Sequence, residues 1–140
     1  MVEVEYKKPL PVVTELSRPF WEACRRHGLL IQRCQRCNAF RYPPAILCPE
    51  CLSEEGRWER VSGRGKVFSF VVFRRLYHQA FEADLPYTVA VVELDEGARL
   101  VSNIVGCPPE KVVCEMPVEV VFDDVTSEVT LPKFRPREAR

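Results

Sequence analysis

Two Cys-x-x-Cys knuckles constrain this chain more than any other feature: Cys34-Gln35-Arg36-Cys37 and Cys48-Pro49-Glu50-Cys51, with ten residues between them. Thiolates at i and i+3 of a tight turn supply two corners of a tetrahedron, and a second such turn supplies the other two. With four protein ligands no position is left for water or substrate. The metal at Cys34, Cys37, Cys48 and Cys51 is therefore expected to be structural and not a Lewis acid. One zinc ion is the expected occupant, although an iron site of the rubredoxin kind has the same spacing. A thioredoxin-like redox pair needs a single Cys-x-x-Cys in a βαβ setting, and neither condition is met. Apparent binding energies of such zinc sites reach ~10–16 kcal/mol, so the metal should decide whether this segment folds at all.

Cys24, Cys107 and Cys114 bring the total to seven cysteines, an odd number that rules out complete pairing. Metal ligation fits an intracellular chain better than disulfides do, and the three extra thiols read as buried or half-buried. No apolar run approaches the ~20 residues a membrane helix needs. The N-terminal MVEVEYKKPL carries charges where a signal peptide has its apolar stretch. A cytoplasmic protein with no membrane partner is expected. A length of 140 residues allows one core and a small appended module, but not a doubly wound nucleotide-binding domain beside a substrate domain.

The 20 basic and 20 acidic residues cancel but are unevenly placed. Residues 58–131 hold seven basic and twelve acidic side chains, a net of −5, whereas residues 132–140 hold four basic and one acidic, a net of +3. Polyanion binding calls for clustered Lys and Arg, so the acidic stretch argues against nucleic acid.

The spacing predicts a short helix after Ser17, its N-cap candidate, with Pro19 in the first turn. Phe20, Trp21, Cys24 and His27 form one apolar face, read as packing against the ribbon or a neighbouring chain. Arg25, Arg26, His27 and Gly28 supply the stop, with His27 complementing the helix dipole. Leu29–Arg33 is a strand leading into the first knuckle, and Pro43 and Pro44 exclude a helix between the knuckles. Ser62-Gly63-Arg64-Gly65 marks a module boundary. Strands are then expected at Val67–Phe73, Tyr87–Leu94, Ala98–Val105, Val118–Phe122 and Glu128–Leu131, with Asp95-Glu96-Gly97 turning the second into the third. A one-turn connector at Pro108–Val113 follows the third strand, and five short strands in this arrangement fit a small OB-type barrel. No internal repeat or low-complexity segment is visible.

A catalytic cysteine needs a base, and the chain has two histidines, of which only His78 lies in a long loop. Nucleophile-elbow, Walker A and dinucleotide motifs are absent, so catalysis by the chain alone is not expected. The thirteen-residue segment Arg74–Pro86 is long for a connector in so small a barrel. Its Arg74, Arg75, Tyr77, His78 and Phe81 are of types enriched at interfaces. They either bind a partner or pack over the barrel end. The basic tail with Lys133, Phe134 and Arg135 reads as a solvated end, or as an arm toward a partner or a phosphate-bearing ligand.

The ordered set of Phe20-Trp21, the two knuckles, Tyr42-Pro43-Pro44, Trp58, Ser62-Gly63-Arg64-Gly65, Pro86–Gly97, Ser102–Gly106 and Leu131-Pro132-Lys133-Phe134 resembles the zinc-ribbon/OB-fold family of acyl-CoA-associated OB-fold proteins, a former domain of unknown function. The resemblance covers residues 17–136. It implies a mainly β fold: an N-terminal helix, a rubredoxin-like zinc ribbon and a five-stranded OB-fold barrel. It also implies a role as the small, non-catalytic partner of a thiolase-like large subunit, with acyl-CoA at the shared interface. Asn38 stands where the family usually has Gly after the first knuckle, and Asn tolerates the left-handed backbone that position uses. Cys114-Glu115-Met116 stands where many members have Gly before Met.

The expected organisation is an N-terminal extension and helix at 1–28, a ribbon at 29–60, a barrel at 61–136 and a tail at 137–140. The expected function is that of an accessory subunit of a thiolase, acyltransferase or aldolase complex handling acyl-CoA. The alternative is a nucleic-acid-binding zinc-ribbon/OB module.

Overall fold

A computed structural model describes residues 6–138 of the chain. Residues 1–5 of the expected extension and residues 139–140 of the expected tail lie outside them. One helix, a three-stranded sheet and a closed five-stranded barrel follow in chain order. Among the described residues no helix is long and apolar enough to cross a membrane.

Helix α1 spans Arg18–Arg25 and buries Phe20, Ala23 and Cys24. Pro19 falls in its first turn, where an N–H would have no partner anyway. Ser17 occupies the N-cap without capping through its side chain. Its hydroxyl turns back to accept the Thr14 N–H at 3.0 Å, while Thr14 Oγ1 accepts the Ser17 N–H at 3.2 Å. The helix ends in a Schellman pair: the Gly28 N–H donates to Ala23 O and the His27 N–H to Cys24 O, both at 2.9 Å. The left-handed residue of that pair is His27 (φ 57°) and not Gly28.

The ribbon sheet is β1 (Leu30–Cys34), β2 (Phe40–Arg41) and β3 (Gly56–Arg60), in the order β2-β1-β3 and antiparallel throughout. The barrel comprises β4 (Arg64–Phe73), β5 (Tyr87–Leu94), β6 (Arg99–Ile104), β7 (Pro117–Asp124) and β8 (Thr130–Pro136). Its order β4-β5-β6-β8-β7 closes by pairing β7 with β4, and β6 meets β8 in parallel at Ile104 and Phe134. This is the five-strand OB arrangement expected from the sequence. A short 3₁₀ turn at Pro109–Lys111 fills the connector after the third barrel strand.

Strict alternation in β5 buries Thr88, Ala90, Val92 and Leu94 and turns Tyr87, Val89, Val91 and Glu93 outward. Gly97 (φ 107°) makes the β5–β6 turn, with its N–H donating to Leu94 O at 2.8 Å. Gly65 is required for a different reason: a Cβ there would lie 2.4 Å from Glu93 O, so only glycine lets β4 cross so close to β5. A bulge between Val67 and Ser69 swings Phe68 out of the ladder and under the Arg99 guanidinium, 3.9 Å from the ring centroid.

Strand β8 corrects the expectation of a solvated basic tail. It begins at Thr130 and runs through Pro136, and Phe134 is 0% exposed at the centre of the core. Two prolines hid this strand. Val105 N–H donates to Phe134 O, so the even-numbered residues of β8 face β6. Pro132 and Pro136 fall on that same side, where the ladder reaches β6 only at Ile104. Their missing N–H groups therefore cost no strand bond. The Ser102 hydroxyl donates to Pro132 O at 2.8 Å across the splayed part of the seam. Phe20 and Trp21 of α1, with Tyr42, cover that opening alongside Leu100, Leu131 and Pro132. One core results: Phe20, Cys24, Leu29 and Ile31 pack in the same cluster as Val67, Val92, Leu100, Val118 and Phe134.

Candidate metal centre and its surroundings

Strand β1 delivers Cys34 to its end, and the chain turns over the first knuckle. Asn38 N–H donates to Cys34 O at 3.0 Å, and the Cys34 N–H to Ala39 O at 2.8 Å. The second knuckle repeats the pattern: Leu52 N–H donates to Cys48 O and the Cys48 N–H to Ser53 O, both at 2.9 Å. In each, the residue after the second cysteine is left-handed, Asn38 at φ 64° and Leu52 at φ 63°. Asn38 was legible as tolerant of that conformation. Leu52 was not, because a branched aliphatic residue carries no such signal.

The four sulfurs converge within 4.8 Å of one another, with Cys34 Sγ 3.6 Å from Cys51 Sγ and Cys37 Sγ 3.6 Å from Cys48 Sγ. These separations are too long for disulfides. A tetrahedron with ~2.3 Å zinc–sulfur arms has ~3.8 Å edges, so the cage fits one zinc ion with all positions filled by protein. The backbone prepares the thiolates. Cys37 and Arg36 N–H groups both point at Cys34 Sγ, at 3.4 Å. They lower the Cys34 thiol, the Cys37 amide contributing most, while desolvation and hydrogen bonding among the clustered thiols raise Cys37 and Cys51. Cys48 is lowered by the amides of Cys51 and Glu50 in the same way. The four cysteines are positioned to bind one metal ion, and a closed tetrathiolate is the donor set of structural zinc.

Two cations support the ribbon. Arg33 donates through Nε to Asn38 O at 2.9 Å and through Nη1 to Glu59 at 2.8 Å, holding the first knuckle to β3. Arg41 is 5% exposed and donates through Nε to Gln32 Oε1 at 3.2 Å, an oxygen that also accepts the Ala45 N–H. Its Nη1 has no partner among the described residues. The guanidinium lies against Gly56, directly across the ladder from Cys34, and a Cβ at Gly56 would sit 2.4 Å from Arg41 Nη2.

The residues singled out in Arg74–Pro86 do not form one site. Gln79–Asp84 is a 3₁₀ helix, and His78 caps it by accepting the Ala80 N–H on Nδ1 at 3.1 Å. Arg74 reaches Glu110 at 3.8 Å, and Arg75 lies over the Tyr77 ring at 5.7 Å. Phe81 turns the other way, against Tyr87 at 5.5 Å and under Lys8, which is ion-paired with Asp84. Phe81 and Lys133 share a cavity of about 340 Å³ at the barrel end, lined also by Tyr6, Lys8, Thr88, Asn103 and Cys107. Lys133 is paired with Asp123 at 2.7 Å and Arg135 with Glu119 at 3.1 Å. Phe134, buried between strands, is not available as a contact residue. Lys8, Asn103 and Cys107 were missed because only the folded barrel brings the lead-in, the third strand and the connector together.

Junction contacts were also missed. His27 Nε2 lies 2.9 Å from Asp124 Oδ1, and its ring stacks on Phe122 at 5.2 Å. Asp124 also accepts the Thr130 hydroxyl at 2.6 Å, and that bond first, then His27, holds its carboxyl below the usual range.

Two family models match the chain: the rubredoxin-like zinc ribbon domain of ChsH2 over residues 21–55 and the C-terminal OB-fold domain of ChsH2 over residues 58–123. Over 129 residues, 92% of its length, the chain is 41% identical to the probable enoyl-CoA hydratase alpha subunit of Thermomonospora curvata, and it spans 40% of that protein. It is 36% identical to a DUF35 domain-containing scaffold protein of Methanothermobacter thermautotrophicus, covering 84% of this chain and 88% of the relative. It is 32% identical to the benzoylsuccinyl-CoA thiolase subunit BbsA of Thauera aromatica, over 54% of this chain and 51% of that one. Among solved structures, a chain of the Ltp2-ChsH2(DUF35) aldolase superposes with a TM-score of 0.82 at 41% identity, covering 91% of this chain and 98% of that chain. With ribbon, barrel and cysteine cage all in place, the chain belongs to the DUF35 family of ChsH2-type zinc-ribbon/OB-fold proteins.

Proposed function

We propose that this chain is the non-catalytic small subunit of a thiolase-superfamily complex, a thiolase, acyltransferase or aldolase, that handles acyl-CoA substrates in the cytoplasm. The observation that carries the reading is its 41% identity to nearly all of a chain belonging to an aldolase named for Ltp2 and ChsH2 together. The relatives named as a scaffold protein, a hydratase alpha subunit and a thiolase subunit point the same way. The chemistry of the site agrees. Four thiolates close the metal's coordination sphere, and each histidine has a structural use, His78 in a helix cap and His27 at the junction.

In this reading Cys34, Cys37, Cys48 and Cys51 hold one zinc that shapes the ribbon. The reactive groups belong to the large subunit. Arg74, Arg75 and Tyr77 lie on the partner side, and acyl-CoA reaches this chain at the cavity of Phe81 and Lys133 beside the shared interface. The chain divides into an extension and helix at 1–28, a ribbon at 29–60, a barrel at 61–136 and a tail at 137–140, in keeping with the strand limits.

The test is co-purification from the native source with a tag on this chain, followed by mass spectrometry and metal analysis. A thiolase-like protein recovered with one zinc per copy is the expected result. Nucleic acid or ribosomal proteins without such a partner would instead favour the nucleic-acid module, whose barrel needs basic and aromatic residues on its binding face. The outward face of the second and third barrel strands presents Val89, Val91 and Val101, and the expected gel shift at low salt is none.

A further inference from the structure

The outer surface of the barrel departs from the pattern of an ordinary antiparallel sheet. Strand register sets Ser69, Val91 and Val101 in one row and Val71, Val89 and Asn103 in the next. Their neighbours Ala90 and Val92 are buried, so these two rows face outward. A sheet with one face on a core usually turns polar side chains to water on the other. Four valines stand here instead, and Val71 and Val101 are 56% and 69% exposed. They border a shallow groove of about 210 Å³. A contiguous apolar surface with a polar rim marks an interaction site.

The two ends of that surface differ in charge. At one end Lys66 pairs with Glu115 at 2.9 Å and reaches Glu93 at 3.8 Å, while Arg99 pairs with Glu93 at 2.9 Å, so the charges satisfy each other. At the other end Phe73 stacks on Tyr87 at 5.2 Å, and the strand runs into Arg74 and Arg75. Arg74 has Glu110, but among the described residues Arg75 has no carboxylate within 4.0 Å.

We infer that the outward face of β4, β5 and β6 is where the large subunit docks, meeting it with an aliphatic patch and a carboxylate opposite Arg75. This rests on the accessory-subunit reading above. A second copy of the chain fits less well. A two-fold axis lying in the plane of the face would set Arg75 against either its own copy or the Lys66–Arg99 end, whose carboxylates are already held. A small ligand fits poorly too, because the groove is shallow and lacks converging polar groups.

The experiment measures affinity between the full chain and the partner identified by co-purification. Two variants are compared with the wild type: Val71→Asp combined with Val101→Asp, and Arg75→Glu alone. Zinc content and melting behaviour report that each still folds, and Arg75→Glu, a change at an exposed residue, stands if the double variant does not. The double variant is expected to weaken binding about 100-fold, and Arg75→Glu about tenfold with a reduced salt dependence. If folded variants bind within about twofold of the wild type, the face is wrong and the accessory-subunit reading survives. If the wild type recovers no acyl-CoA enzyme, both fail. A wild-type dimer in sedimentation that Val101→Asp converts to monomer would assign the face to a second copy and overturn the proposal.

Discussion

The ribbon and the barrel are held together by opposite means. In the ribbon, few side chains are buried: Leu29 and Ile31, the sulfurs of Cys34 and Cys48, and the polar Gln32, Arg41 and Ser53. So small an apolar set does not offset the entropy of ordering the segment, and the tetrathiolate cage must. Among the described residues the barrel holds no such cage. Its alternating strands bury Val67, Ala90, Val92, Leu94, Leu100, Ile104, Val118 and Phe134 around a closed ladder. The difference shows what each kind of stability depends on: four atoms at fixed spacing in one case, and many long-range contacts in the other. The two are nonetheless joined, since Phe20, Cys24, Leu29 and Ile31 lie in the barrel's own core cluster.

The largest effect expected from breaking this contrast is at the cage. Cys37→Ser removes one of four ligands, and the ~10–16 kcal/mol of apparent zinc binding is mostly lost. Metal analysis should find the zinc gone, and amide resonances of residues 30–60 should collapse toward unfolded positions. Barrel amides should stay dispersed while their exchange quickens near the β6–β8 seam, because α1 covers that opening. Full zinc content and a native melting curve in this variant would remove Cys37 from the ligand set.

The converse variant is Phe134→Ala. Deleting a fully buried ring should cost ~3–5 kcal/mol. The denaturant midpoint should fall sharply while zinc content in the native state stays at one per chain. A midpoint unchanged within error would contradict the placement of Phe134 in the core.

What the sequence revealed follows the same division. Cys34, Cys37, Cys48 and Cys51 announce their geometry through spacing alone, and the cage was legible. The β5–β6 hairpin was also legible, because Asp95-Glu96-Gly97 is a local turn signal between alternating strands. Strand β8 was read short because prolines normally exclude a strand, and whether they face a ladder or an open seam depends on β6, some 30 residues away. For the same reason, His27 read as a terminal charge and the cavity residues Lys8, Asn103 and Cys107 were missed.

Leu52 offers a finer test within the ribbon. It is 71% exposed, so it contributes little burial, yet it sits in the left-handed region that costs non-glycine residues ~1–2 kcal/mol. Leu52→Gly relieves that strain but gives the unfolded chain more freedom. The net gain should be below ~1 kcal/mol, read as slower zinc loss to a competing chelator. Faster loss would mean that the Leu52 side chain supports the knuckle in a way its exposure does not suggest.

The smallest expected effect lies at the junction, where ribbon helix and barrel meet through His27, Asp124 and Thr130. Asp124 is held below the usual carboxylate range, first by the Thr130 hydroxyl and then by His27. A carboxyl whose folded pKa is depressed adds stability above its unfolded pKa and loses it as pH falls through the folded one. The loss should therefore set in as pH falls through the ordinary aspartate range, continue down to the depressed folded value, and leave neutral pH untouched. Because both partners are exposed, the measurement should follow the group itself and not the melting temperature. Carboxyl carbon shifts of Asp124 across an acid titration should report the depressed value in the wild type. Thr130→Val should raise it toward the ordinary range, and His27→Ala should raise it by less. An equal shift from both would make the ribbon-to-barrel contact as strong a hold on Asp124 as the bond within the barrel. A larger shift from His27→Ala would move the main restraint on this carboxylate from the barrel to the interface between the two regions.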